Sequence, residues 1–151
     1  MSTLYAESSA ILRWLLGTSE APVIRKLLSG ARLVVSTALT AVEVARTLRR
    51  LTAGGSISAD AREAAWVRYC VAAGHWNLVG VTDQILTRAG EAFPLEPVRT
   101  LDAVHLATAA LYHREVEPLA MLSVDARVRA NAEAMGIEVL PVNQTVGDSP
   151  P

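Results

Sequence analysis

Apolar residues along this chain follow two rhythms. Short unbroken runs at Thr3–Ala6, Leu33–Val35, Asn77–Val81, Leu119–Val124 and Ile137–Leu140 read as buried strands. Between them the apolar positions recur at helical spacing. One helix starts at the hydroxyls Ser8 and Ser9, carries Ile11, Leu12, Leu15 and Leu16, and stops at Gly17. A second spans Ala21–Leu28, with Pro22 in its first turn and Gly30 beyond its end. Leu39, Val42, Ala45 and Leu48 predict a helix over Ala38–Leu51, and Gly54-Gly55 turns it back into another over Ile57–Ala73. Further helices follow from Thr82-Asp83 toward Ala92, over Leu101–Tyr112, and from Asp125 to Met135 with a stop at Gly136. Pro94 and Pro97 mark a loop. Strands alternating with helices predict an α/β fold whose parallel sheet is covered on both faces, with ligands beyond the carboxyl ends of the strands.

Composition narrows this further. The chain has 151 residues, of which 51% are apolar and 19% charged. That suits one domain with a self-sufficient core, over residues 1–142, followed by a polar, proline-ended tail over 143–151 that is expected to be mobile. Cys70 is the single cysteine, which fits a reducing compartment. The first residues lack the basic start and apolar stretch of a signal peptide, and no run nears the ~20 apolar residues of a membrane span. A cytoplasmic protein without membrane contact is expected. Charge is balanced, with 14 basic and 15 acidic residues, but Lys26 is the one lysine. Arginine suits bidentate recognition of phosphate or carboxylate. Without a global basic field, any contact with nucleic acid is expected to be local.

Four acids then stand out by position. Glu7 ends the first strand and Asp125 ends the fourth. Asp102 lies in the first turn of a helix, and Glu43 two turns into the helix after the second strand. Each alone has an ordinary explanation: a helix cap for Asp125, a dipole partner for Asp102, a pair with Arg46 for Glu43, a solvated strand end for Glu7. Together a parallel sheet can bring them to one edge, where four carboxylates repel unless a cation neutralises them. A hard divalent ion does so through oxygen ligands, and the chemistry favoured is in-line attack of water on a phosphodiester. Val42 and Val44 flank Glu43, so it does not sit on an evidently polar face.

Four segments carry a family likeness: Leu4-Tyr5-Ala6-Glu7-Ser8-Ser9-Ala10, Thr40-Ala41-Val42-Glu43-Val44 with Arg46 behind it, Arg99-Thr100-Leu101-Asp102-Ala103-Val104-His105-Leu106-Ala107, and Ser123-Val124-Asp125. In order and spacing they resemble the PIN-domain family, and most of all the VapC-type toxins of bacterial toxin–antitoxin pairs. The likeness runs from about Thr3 to Val142. It implies a three-layer α/β/α sandwich with a short, mostly parallel central sheet. It also implies a Mg²⁺- or Mn²⁺-dependent ribonuclease, an RNA substrate, an inhibiting antitoxin protein and a homodimer. Glu43, Asp102 and Asp125 match the family's acidic metal-site residues. Ser9 matches a small polar residue that helps hold the first acid, and Ser123 a hydroxyl two before the last. Arg46 is placed to grip the RNA backbone or to pair with Glu43.

Glu7 departs from the pattern, since it stands where the family has aspartate. Its extra methylene extends the carboxylate by about 1.5 Å, and a misplacement near 1 Å can cost on the order of 10²-fold in rate. The metal then sits differently, the strand end compensates, or activity is weak. That last possibility supports an alternative reading, a catalytically weak PIN-like module that binds RNA or protein. His105, three residues after Asp102, either orients that carboxylate or is satisfied packing. Trp14, Trp66 and Trp76 read as core or interface more than as base-stacking platforms, and Trp66, Val67 and Cys70 form an apolar stripe open to dimer or antitoxin docking. No P-loop, GxGxxG, GxSxG or HExxH occurs.

Overall fold

The computed structural model describes residues 2–143, so the expected tail lies outside the described residues from position 144 onward. Five strands, β1 (Thr3–Ala6), β2 (Leu33–Thr37), β3 (Asn77–Val79), β4 (Ala120–Leu122) and β5 (Glu138–Leu140), form one parallel sheet in the order β3-β2-β1-β4-β5. Seven helices connect them: α1 (Ser8–Leu16), α2 (Ala21–Gly30), α3 (Thr40–Ala53), α4 (Ala59–Ala73), α5 (Asp83–Ala89), α6 (Thr100–Glu115) and α7 (Ala126–Ala134).

The alternation of side chains along each strand divides these helices into two layers. Leu4 and Ala6, with Val34, Ala120 and Leu122, pack against Ala10, Ile11 and Leu15 of α1, Ile24 of α2, Val44 and Leu48 of α3, and Tyr69 of α4. Tyr5, Val35, Met121 and Val139 point the other way, onto Ala103, Leu106 and Ala109 of α6 and Val128 and Ala132 of α7. The result is the expected α/β/α sandwich. Burial on both faces explains why the strands read as continuous apolar runs. Trp14, Trp66 and Trp76 pack on the first of these cores, where Trp66 stacks on Tyr69 with ring centroids 5.4 Å apart. The expected apolar stripe on α4 therefore splits, Trp66 facing inward while Val67 and Cys70 are exposed.

Gly17 stops α1 as expected: its φ of 68° is left-handed, and its N–H reaches back to the carbonyls of Arg13 and Trp14. One boundary shifts in a way that matters. The third helix begins at Thr40 and not at Ala38, because the Ala38 N–H bonds the Val79 carbonyl at 2.8 Å and Thr37 Oγ1 accepts from the Leu39 N–H. Glu43 consequently lies in the first turn. Among the described residues no helix is long and apolar enough to cross a membrane.

Strand order fixes where a site can form. After β1 the chain winds outward through β2 and β3, then returns to the other side of β1 with β4 and β5. Connections leaving β1 and β4 thus diverge, and this switch of direction is where open parallel sheets form their crevice. Glu7 follows β1 directly, and Ser123 follows β4 beside it, with the Glu7 N–H bonded to the Leu122 carbonyl at 3.0 Å.

Candidate active site

Glu7 is 2% exposed, and both its carboxylate oxygens are saturated with hydrogen bonds. Oε1 accepts from Ser8 Oγ at 2.8 Å and from the Ser9 N–H at 3.1 Å; Oε2 accepts from Ser9 Oγ and from Ser123 Oγ at 2.8 Å. Glu7 is also the N-cap of α1. A glutamate reaches this position because its longer stem folds back over the helix start into a nest of three hydroxyls. Ser9 has further duties, accepting the Val124 N–H at 3.1 Å, while Ser123 Oγ accepts that of Asp125 at 3.2 Å. The first-strand and fourth-strand ends are locked together by these serines.

Glu43 joins this nest through Ser8, whose hydroxyl lies 2.9 Å from Glu43 Oε2. Its other oxygen accepts from His105 Nε2 at 2.7 Å, and His105 Nδ1 lies 2.9 Å from the Tyr5 hydroxyl. Glu43 comes from α3, His105 from α6 and Tyr5 from β1, so one histidine ties both helical layers to the central strand. Burial pushes the His105 pKa down, yet the Glu43 hydrogen bond and the charges of Glu7, Glu43 and Asp102 outweigh it and raise it overall. In both protonation states Nε2–H donates, since the carboxylate only accepts.

Asp102 and Asp125 form the second half of the edge. Arg99 lies between them, its Nε 3.4 Å from Asp102 Oδ2 and a terminal nitrogen 3.9 Å from Asp125 Oδ2. Asp125 caps α7, its Oδ1 accepting from the N–H groups of Arg127 and Val128 at 2.9 and 3.1 Å. Asp102 Oδ2 is different: it is buried and has no hydrogen-bond partner, its approach to Arg99 being an ion pair without hydrogen-bond alignment. Burial, then Asp125, then Glu7 raise the Asp102 pKa, against the smaller opposing effects of Arg99 and His105.

The sheet therefore brings Glu7 to Glu43 through Ser8, and Asp102 to Asp125 through Arg99. The two halves feel one another's charge. Among the described residues no three His, Cys, Asp or Glu side chains are placed together so as to hold a metal ion. The donor set nevertheless suits a hard divalent cation, being all carboxylate, and the orphaned Asp102 oxygen is the atom such an ion would satisfy. Asp125 has one oxygen left for it beyond the helix cap, whereas Glu7 would first have to release a hydroxyl or act through water.

Arg46 is exposed and makes no ion pair with Glu43, whose oxygens are taken by Ser8 and His105. Two residues of the edge carry more than the sequence reading gave them. His105 orients Glu43 across the sandwich, a link between distant helices that spacing along α6 does not reveal. Arg99 had a visible signal, its three-residue separation from Asp102 across the start of α6.

Comparison with known proteins bears on this edge. The PIN domain family model matches residues 4–134. Ribonuclease VapC46 of Mycobacterium tuberculosis is 34% identical over 140 residues, covering 93% of this chain and 98% of that protein. Ribonuclease VapC35 of the same organism is 25% identical over 143 residues, again covering 93% of this chain and 98% of its own length.

Proposed function

The chain belongs to the PIN-domain family, and from that premise we propose that it is a divalent-metal-dependent endoribonuclease, the toxin of a type II toxin–antitoxin pair. The observation that carries the reading is the buried, unpartnered Asp102 oxygen at an edge shared by Glu7, Glu43 and Asp125. Similarity along nearly the whole length of proteins named ribonucleases supports the substrate class.

In this reading Asp102 and Asp125 hold Mg²⁺ or Mn²⁺ directly, and Glu43 and Glu7 complete the anionic field. Such an ion supplies Lewis-acid polarisation of the scissile phosphate, lowers the pKa of a bound water and stabilises the leaving oxygen. The protein's own residues do the positioning. Ser8, Ser9 and Ser123 fix the Glu7 carboxylate and couple it to Glu43. His105 holds Glu43 in place through its Nε2–H. Arg99 neutralises Asp102 and Asp125 in part while the carboxylates lack a cation, and it is then free to swing to the RNA phosphate, being 74% exposed. Arg46, one helical turn beyond Glu43, grips the backbone beside the scissile bond.

The domain occupies residues 1–142, acts in the cytoplasm as a homodimer, and is held inactive by its cognate antitoxin until that partner is removed. Incubating the purified protein with RNA and Mn²⁺, with and without EDTA, tests the chemistry. Cleavage that EDTA stops and that Asp102→Asn lacks is the expected result; cleavage persisting in Asp102→Asn would remove the assignment.

A second reading, a PIN-like module that binds RNA or protein without cutting, draws on the saturated hydrogen bonding of Glu7. RNA binding with no product formed at any Mn²⁺ concentration would select it.

A further inference from the structure

Beyond Arg46, two further arginines of α3 have no role in the site described above, and the three form one cluster. Arg46, Arg49 and Arg50 of α3 are all exposed, and among the described residues none has a carboxylate within 4.0 Å. With Thr47 and Ala53 they line an open groove of about 460 Å³ to which no acidic side chain contributes. Basic residues in the last turn of a helix have an ordinary role against the dipole, but that role explains Arg50 alone and asks for no concavity. A helix rises about 1.5 Å per residue. Arg46 therefore sits about 4.5 Å beyond Glu43 along the axis, and Arg50 about 6 Å beyond Arg46. Positions 43, 46, 47 and 50 share one face of the helix, so Arg46 and Arg50 continue in line from Glu43, while Arg49 stands on the adjacent face and lines the same groove from the side.

We propose that the Arg46–Arg49–Arg50 groove is a phosphate-binding subsite that holds the RNA strand beside the scissile bond, with Arg49 and Arg50 engaging phosphates one and two nucleotides removed from the cut. This rests on the ribonuclease reading above and extends it to the direction the strand leaves the site, along α3 toward the Gly54-Gly55 turn. Unpaired guanidiniums suit phosphate, which they bind in a bidentate fork. An acidic protein segment is the competing occupant. Phosphates are favoured because Arg46 and Arg50 share the helical face of Glu43, one and two turns beyond it.

The test compares wild-type protein with an Arg49→Ala/Arg50→Ala double variant, both verified by circular dichroism and melting. Binding of a fluorescein-labelled single-stranded oligouridylate of about twelve nucleotides is followed by anisotropy in EDTA over a salt series, and cleavage in Mn²⁺ is measured in parallel. Each lost phosphate contact on single-stranded nucleic acid removes about 0.7 from the slope of log K against log salt. The double variant should thus lose about 1.4 of slope and bind at least tenfold more weakly at low salt, while a dinucleotide, whose single phosphodiester is the scissile one, is cut at the wild-type rate. An unchanged slope in a wild type that cleaves RNA overturns the subsite and leaves the ribonuclease reading standing. Loss of affinity for an acidic peptide with RNA binding unchanged overturns it in favour of a protein partner. A wild type that neither binds nor cuts RNA overturns the reading beneath it.

Discussion

His105 and Glu43 meet at 2.7 Å across the sandwich, although one lies on α6 and the other on α3, on opposite faces of the sheet. The contact is nearly closed to water on the histidine side, where 1% of the side chain is exposed. Glu43 keeps a rim toward solvent. One imidazole therefore carries three loads: it satisfies a carboxylate, it accepts or donates to Tyr5, and it holds two helical layers in register.

The first prediction concerns pH. The folded His105 pKa is raised above its unfolded value near 6.5, burial being outweighed by Glu43, Glu7 and Asp102. Stability from the protonated ring is fully present below about pH 6.5 and is lost as pH rises through the folded pKa. Melting temperature of the metal-free protein should fall as pH rises above about 6.5 and through the folded pKa. His105→Gln, which keeps an N–H for Glu43 but cannot titrate, should flatten that profile. It should also melt lower at mildly acidic pH, by an amount of the order of one charged hydrogen bond, about 1.5–3 kcal/mol. An equally steep profile in His105→Gln would remove His105 as its source.

The Asp102 pKa is raised as well, so its pH slope has the same sign, but here it is the ionised form that the fold disfavours. Burial and the charges of Asp125 and Glu7 raise its pKa above 3.8, so at neutral pH the ionised carboxylate costs stability in the folded state. That penalty fades as pH falls through the folded pKa and is gone below the unfolded one. Asp102→Asn should therefore melt higher than wild type in EDTA at pH 7, with the difference vanishing below about pH 4. The same variant should lose RNA cleavage by two orders of magnitude or more, on the order of what removing a charge-stabilising group costs. Higher stability with lost activity is a pairing that simple misfolding cannot produce.

The sequence announced most of this architecture and only part of its wiring. Strands and helices were legible because Leu4–Ala6 or Leu33–Val35 are buried on both faces and because Ser8, Pro22, Gly17 and Gly136 punctuate them. Boundaries were less so. β4 pairs only over Ala120–Leu122, a length set by its partners and not by its own apolar run from Leu119 to Val124. Glu43 moved to a first turn because the Ala38 amide was claimed by β3, a neighbour with no trace in local periodicity. The acids could be placed at strand and helix ends from pattern alone. Their hydrogen-bond partners, Ser8 to Glu43 and His105 to Glu43, join segments far apart in the chain and emerge only from the packing.

Metal binding should be visible without any substrate. On the proposed reading the carboxylate edge takes a divalent cation in the folded state only, so Mg²⁺ or Mn²⁺ should raise stability by RT ln(1 + [L]/Kd). At about a hundredfold excess over Kd this is about 2.7 kcal/mol, or roughly 5–10 °C in a domain of this size. Millimolar Mn²⁺ should raise the melting temperature of wild type, EDTA should reverse it, and Asp102→Asn should show little of it. Equal shifts in wild type and Asp102→Asn would place the ion elsewhere.

Glu7 offers the sharpest stereochemical test, because its extra methylene is spent inside the protein and not on reach into the crevice. The carboxylate lies in the nest of Ser8, Ser9 and Ser123, 2% exposed. Glu7→Asp withdraws it by about 1.5 Å and cannot hold Ser123 and the Ser9 N–H together. Losing those bonds at a buried charge should cost about 1–3 kcal/mol, seen as a melting temperature lower by roughly 3–10 °C. Ser123→Ala alone should cost a similar amount, since it leaves Glu7 Oε2 and the Asp125 N–H short of a partner. The two effects share one hydrogen bond, so the double variant should fall well short of the sum of the singles. Activity separates the two roles of the residue. If the nest only anchors the edge, Glu7→Asp loses stability and cleavage together, and both recover in parallel on cooling. If the shorter acid frees an oxygen for the cation, Mn²⁺ should stabilise Glu7→Asp more than wild type, even though the metal-free variant is the weaker fold.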